Sequence, residues 1–192
     1  MNVALILAGG SGTRTEQSVP KQFISIYEKP IIIYTLEAFQ NHAQVDGIIV
    51  SCIDGWHDVL KGYAAAASIT KLRWIVGGGD NGQSSARNAL LTLEDTCKEE
   101  DIVIIHDAVR PMISQEIITD CIKKAEEFGS GLSAIVRRPL CEQKMERMDI
   151  LELTAMILCV YRHHRHTNLE GCSGHIRRQS KGESPMQYIP IH

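Results

Sequence analysis

Asn2-Val3-Ala4-Leu5-Ile6-Leu7-Ala8-Gly9-Gly10-Ser11-Gly12-Thr13-Arg14 is the stretch that decides the fold class. An apolar run over residues 3–7 stops abruptly in glycines. That is the pattern of a short buried parallel strand feeding a loop. Moving outward, strand and helix signals alternate. Pro30 opens a helix through residue 39, with proline at the first turn. Residues 45–52 read as a strand, 56–67 as a helix and 72–76 as a strand. Ser84 or Ser85 is the expected cap of a helix running to about residue 97, with Ala86, Ala89, Leu90 and Leu93 on one face. Residues 101–106 read as a strand, 114–128 as a helix capped by Ser114, and residues 131–136 begin one more strand. Such alternation predicts an α/β fold, a mostly parallel sheet covered on both faces. Ligands of such sheets sit at the carboxyl ends of the strands.

Three motifs fall at those ends. The first is Ala8-Gly9-Gly10-Ser11-Gly12-Thr13-Arg14, followed by Pro20-Lys21-Gln22-Phe23. Glycines let backbone N–H groups approach phosphate oxygens closely. No Gly-Lys-Ser/Thr follows, so it is not a P-loop, and the third glycine of the dinucleotide fingerprint is missing. Two fixed cations, Arg14 and Lys21, beside a glycine loop suit a triphosphate attacked at its α-phosphorus. The plain alternative is a glycine turn with solvated charges.

The second motif, Gly77-Gly78-Gly79-Asp80-Asn81-Gly82-Gln83-Ser84-Ser85, follows a strand and opens a helix. It could hold a base edge or a phosphate, or be no more than a cap with a flexible turn. The third is His106-Asp107-Ala108-Val109-Arg110-Pro111. A strand-end Asp107 can hold Mg²⁺, which needs few protein ligands when phosphates supply the rest. Otherwise it pairs with Arg110. His106 reads as a structural hydrogen-bonder rather than a base.

Composition bounds the alternatives. The chain has 192 residues, 44% apolar and 22% charged, with a net charge of -3. That is ordinary for a soluble domain with a real core, and no basic field argues for nucleic acid. None of the cysteines (52, 97, 121, 141, 159 and 172) forms a C-x-x-C pair. The start lacks a basic region and has only a short apolar run, so it is not a signal peptide, and no stretch reads as a membrane span. The expected setting is cytoplasmic, with reduced thiols.

Together and in this order, the three motifs resemble the methylerythritol-phosphate / ribitol-phosphate cytidylyltransferase family over roughly residues 1–135. The resemblance implies a doubly wound, Rossmann-like nucleotide-binding fold of the nucleotide-diphospho-sugar transferase type. It implies that Ala8, Gly9, Gly10 and Gly12 wrap the CTP phosphates and that Arg14 and Lys21 stabilise the transition state. It places Gly79, Asp80 and Ser85 against the cytidine portion, Ala108 near the ribose or base, and Mg²⁺ on Asp107. The implied partners are CTP and a polyol phosphate, either ribitol 5-phosphate or 2-C-methyl-D-erythritol 4-phosphate. The implied reaction is in-line transfer of CMP with release of pyrophosphate. Many relatives carry arginine where Gly82 stands. Leu7-Ala8-Gly9-Gly10 and Lys29-Pro30-Ile31 look closer to the ribitol branch. Two other readings stay open: a non-catalytic nucleotide-binding fragment, or a nucleotidyltransferase for another base or sugar phosphate.

Residues 136–192 have a different character. They show no strand-turn pattern, a short helix is expected over residues 151–161, and the last twenty or so are polar and expected to be disordered. His163, His164 and His166 with Cys159 form a metal-like tract that matches no standard zinc spacing. The family's Asp-Thr-Ile segment, its projecting β-arm that builds the homodimer, and its Gln-Thr-Pro-Gln motif do not occur there. The resemblance therefore implies an incomplete active site and a weakened dimer. Two units follow, a nucleotide-binding domain at 1–135 and a non-family tail at 136–192. A reading frame displaced by one base would explain the tail. The steps at Met145, Met148 and Met156 are then forced to Gly, Gly and Asp, and permitted codons for residues 159–169 can restore Gln-Thr-Pro-Gln.

Overall fold

The computed structural model describes residues 1–10, 19–98, 100–134 and 156–162. The strand read first is β1 (Asn2–Ala8). A 3-10 turn, Lys21–Phe23, leads to a small hairpin of β2 (Ser25–Ile26) and β3 (Lys29–Pro30), and then to α1 (Ile31–Gln40). There follow β4 (Gly47–Cys52), α2 (His57–Ala66), β5 (Leu72–Gly77), α3 (Gly82–Leu93), β6 (Ile102–Asp107), α4 (Gln115–Phe128), β7 (Ser130–Ala134) and β8 (Met156–Arg162).

The main sheet has the order β5-β4-β1-β6-β8-β7. β5, β4, β1 and β6 run parallel, and β8 runs antiparallel to both β6 and β7. Period-two alternation along β1 divides the core into two layers. Ala4, Ile6 and Ala8 pack with residues of α1, α2 and α4 on one face. Val3 and Leu5 pack with Ala89 and Leu93 of α3, together with Ile49, Val103 and Ile105, on the other. The helices therefore cover both faces, as the alternation predicts.

The helix ends follow local chemistry. Ser114 caps α4, its hydroxyl accepting from the N–H of Ile117 at 3.3 Å, and Gly129 ends the helix in the left-handed region at φ 82°. The cap of α3 is Asn81, not Ser84 or Ser85. Asn81 Oδ1 accepts from the N–H of Ser84 at 2.9 Å, and Ser84 Oγ accepts from the N–H of Asn81 at 3.0 Å. This reciprocal capping box moves the helix start to Gly82, and the helix stops at Leu93, short of residue 97.

Two elements depart from the expectation. The β2–β3 hairpin turns through Tyr27 and Glu28, both at positive φ (50° and 65°). A two-residue turn of this kind normally carries Asn-Gly, so its residues gave no turn signal. Neighbours hold it instead: Tyr34 donates to the Ile26 carbonyl at 2.7 Å, and Lys29 Nζ reaches both carboxylate oxygens of Glu37 at 2.8 and 2.9 Å. The second departure is β8. Where a short helix was expected, Met156–Arg162 is a strand lying between β6 and β7. A short apolar run cannot be assigned to helix or strand by periodicity alone, and here a slot flanked by two strands decided it. The polar end of the chain and the histidine tract at 163–166 lie outside the described residues. Among the described residues no helix is long and apolar enough to cross a membrane, and no group of three His, Cys, Asp or Glu could hold a metal ion.

Candidate functional site at the strand carboxyl ends

The sheet changes direction at β1. The chain steps from β1 outward to β4 and β5, then returns to place β6 on the opposite side of β1. In open α/β sheets, this switch point is where a crevice forms at the carboxyl ends. The strand register brings the motifs there: Leu7 lies beside Asp107 and Ser51, Ala8 beside Cys52, and Cys52 beside Gly77. All three sequence motifs therefore end on one rim.

The two glycine loops touch. A Cβ on Gly9 would stand 2.9 Å from Gly78 Cα and 2.8 Å from Ser85 Oγ, and one on Gly78 would stand 2.8 Å from Gly9 Cα. Only glycine permits this approach. Backbone bonds extend the ladder past the strand ends, from Ile53 N–H to the Ala8 carbonyl at 3.1 Å and from Gly78 N–H to the Cys52 carbonyl at 2.7 Å. Among the described residues, no atom lies within 4 Å of the position a Cβ on Gly10 would take. Gly12 and Arg14 lie outside the described residues.

Lys21 is exposed and begins the 3-10 turn, which the Phe23 N–H to Pro20 carbonyl bond closes at 2.8 Å. The next two residues are buried and fix the turn. Phe23 stacks on Trp56 with ring centroids 4.6 Å apart. Gln22 donates from Nε2 to the carbonyls of Ala8 at 2.7 Å and Gly10 at 3.3 Å. Sequence reading passed over Gln22, because a glutamine in a polar loop carries no mark of burial.

In the second loop, Asp80 is exposed beside the N-terminus of α3. Ser85 is buried, and its Oγ accepts from the N–H of Gly79 at 2.9 Å. In this structure Ser85 therefore braces both glycine loops, and the Gly79 N–H is engaged with it. Asn88 adds long contacts to the carbonyls of Gly77 and Gly78 at 3.4 and 3.5 Å. Gly78 and Asn81 are the other contributors that sequence reading did not single out; the close approach of Gly9 was the signal only the structure carries.

At the end of β6, Asp107 is half exposed, and Arg110 Nε donates to its Oδ2 at 2.7 Å. Ala108 is buried and continues the ladder, its N–H donating to the Leu7 carbonyl at 3.0 Å while its carbonyl accepts from Thr35 Oγ1 at 2.8 Å. His106 is buried, with Nε2 2.9 Å from the Arg110 carbonyl and its ring 5.4 Å from that of Phe39. It supports the Asp107–Arg110 turn, the structural role expected of it. A solvent-facing Asp–Arg pair contributes at most about 1 kcal/mol, so a cation can displace the arginine. One hard carboxylate fits Mg²⁺ only if phosphate and water oxygens complete the shell.

The Cys52 thiol beneath the loops is fully buried. Burial pushes Cys52 up to about 11, and the charge of Asp54 adds to the shift. What remains on the rim is a pair of touching glycine loops, an exposed lysine and a half-exposed carboxylate. Those are the parts for holding an anionic, metal-bearing ligand by position and electrostatics.

Comparison with known proteins identifies the family. The family described as 2-C-methyl-D-erythritol 4-phosphate cytidylyltransferase matches residues 2–146. The ribitol-5-phosphate cytidylyltransferase of Lacticaseibacillus paracasei is 43% identical over 135 residues, covering 70% of this chain and 58% of that protein. The 2-C-methyl-D-erythritol 4-phosphate cytidylyltransferase of Clostridium botulinum strain Loch Maree is 34% identical over 146 residues, covering 76% and 62%. The chain thus spans less than two thirds of the length of these relatives. Among solved structures, the 2-C-methyl-D-erythritol 4-phosphate cytidylyltransferase of Francisella tularensis superposes with a TM-score of 0.63 at 21% identity, over 95% of this chain and 83% of that one. At that identity the likeness establishes the fold alone. The matched residues take in all three rim motifs, and on them the chain belongs to the 2-C-methyl-D-erythritol 4-phosphate cytidylyltransferase family.

Proposed function

We propose that the chain carries the nucleotide half of a cytidylyltransferase that moves CMP from CTP to a polyol phosphate, ribitol 5-phosphate in preference to 2-C-methyl-D-erythritol 4-phosphate. The observation that carries this reading is the meeting of both glycine loops beside Asp107 at the switch point, with the Lys21–Phe23 turn tied to the first loop through Gln22. The higher identity of the ribitol relatives supports the choice of acceptor.

In the proposed reaction, a phosphate oxygen of the polyol forms a bond to the α-phosphorus of CTP. The bond from that phosphorus to the bridging oxygen breaks, and pyrophosphate leaves with the electron pair. The Gly9–Gly10 backbone lies against the phosphates. Lys21, with Arg14, neutralises the charge that builds on the α-phosphoryl oxygens. Gly79, Asp80 and Ser85 shape the nucleoside side, and Ala108 closes the floor beneath it. Asp107, released from Arg110, would hold Mg²⁺, which supplies charge neutralisation on the phosphates when bound.

Pyrophosphate release from CTP and Mg²⁺, measured with each acceptor in turn, tests the reading. Release with ribitol 5-phosphate supports it. Saturable CTP binding without release leaves the nucleotide-binding fragment, and preference for UTP or GTP across a nucleotide panel assigns the site to another base.

A second reading concerns the chain beyond the family match. We propose that it is translated from a displaced frame, because the matched region stops at residue 146 and the forced codon steps beyond it, at Met148 and Met156, give Gly and Asp. Sequencing the gene across codons 131–167 tests this. An adjacent frame encoding Asp-Thr-Ile and Gln-Thr-Pro-Gln supports it, and the absence of both removes it.

A further inference from the structure

We infer that Gln22 is the positioning residue of the first glycine loop, holding two loop carbonyls on its own buried amide so that they do not face an incoming phosphate. Gln22 is 3% exposed, and a buried primary amide is costly unless both its hydrogens find acceptors. Here they go to the carbonyls of Ala8 and Gly10. The Ala8 carbonyl also accepts from the Ile53 N–H, so it is held from two sides.

The consequence follows from peptide geometry. In a planar trans peptide, C=O and N–H point in opposite directions. The Ala8 oxygen points towards β4, where it meets the Ile53 N–H, so the Gly9 N–H points the other way, towards the β6 side of the crevice. Drawing the Gly10 oxygen down removes a partial negative charge from the path of a phosphate. Gly9 and Gly10, lacking side chains, would otherwise sample conformations that present carbonyls to the crevice. The same amide sits one residue from Lys21 on a closed 3-10 turn. One buried side chain thus ties the cationic residue to the glycine loop.

The anionic ligand assumed here rests on the function proposed above, whereas the orientation of the loop does not, and the test separates the two. Gln22→Met keeps the volume and removes both donors. Gln22→Glu keeps the shape and puts carboxylate oxygens against carbonyl oxygens. In the full-length chain, amide hydrogen exchange at Ile53, whose N–H bonds the Ala8 carbonyl, is measured without ligand, and the affinity for inorganic tripolyphosphate by calorimetry. We expect exchange at Ile53 to speed up roughly tenfold in Gln22→Met, as for loss of one buried hydrogen bond to the carbonyl it shares, with amides of β4 unchanged. Tripolyphosphate affinity falls by a similar factor, and further in Gln22→Glu. In an active chain kcat falls more than KM rises. Unchanged exchange at Ile53 in a folded Gln22→Met variant overturns the inference, whatever the ligand data show. Should the native chain bind no tripolyphosphate while the variant still exchanges faster, the positioning role stands and the phosphate reading falls.

Discussion

β6 has two neighbours in the sheet, and they differ in almost every respect. On one side β1 runs parallel to it, pairing Leu7 with Asp107 and delivering the first glycine loop to the strand that carries the acidic residue. On the other side β8 runs antiparallel, pairing His106 with Leu158. β1 lies within the family match and β8 beyond it. Among the described residues, the candidates of the site lie on β6 or on its β1 side, and none lies on β8. A sheet can therefore fill a slot with any apolar segment that satisfies its backbone groups. A site cannot be completed that way, because it needs particular side chains at particular strand ends.

If that contrast is right, substitutions on the two flanks should separate chemistry from stability. The largest effect is expected from Lys21→Ala. Turnover in a pyrophosphate-release assay should drop on the order of 10²–10³-fold, with a smaller loss of CTP affinity and an unchanged melting temperature, since the side chain is exposed. Equal losses in turnover and affinity would reduce Lys21 to a binding residue. Next in size is Val160→Pro. β8 is flanked on both sides, so a proline there costs a ladder bond, and urea unfolding should show a loss of about 2–3 kcal/mol. CTP affinity should stay the same; a parallel loss of affinity would tie β8 to the site and break the comparison.

Gly9→Ala sharpens the β1 flank. Its methyl group would collide with Gly78 and Ser85, prising the two loops apart, so CTP affinity should fall about tenfold with a stability loss of about 1–2 kcal/mol. Retained affinity would show that the loops need not touch. The smallest effect bears on both flanks together. His42 Nδ1 accepts from the Gln44 N–H at 3.2 Å, and Nε2 faces the Gln115 carbonyl and Thr119 Oγ1 of α4. Burial lowers its pKa from 6.5, and Lys71 adds to the lowering against the raising bond to Gln115. The unfolded chain then takes up the proton first. Stability should be full above about pH 6.5 and decline as the pH falls through the lowered value. A His42→Gln variant should flatten that decline, and an unaltered pH profile would remove the assignment.

Much of this was legible before the structure. Buried parallel strands write themselves as unbroken apolar runs, which is why residues 3–7 and 101–106 could be read as strands. Ser114 before an amphipathic run marks a helix start in the same local way. The hairpin at Tyr27–Glu28 was not legible, because its turn lacks the residues that announce one. The strand at Met156–Arg162 was read as helix because its assignment rests on neighbours, not on its own pattern.

The sequence by itself determined the alternation of strands and helices and the chemistry available on the rim: glycines, Lys21, Asp107. These depend on side chains within a few residues of one another. Only the tertiary structure decided that Gly9 meets Gly78, that Ser85 braces both loops, and that Gln22 turns its amide under Ala8 and Gly10. Those contacts join segments far apart in the chain. Strand register and close packing place them, and no local propensity encodes either.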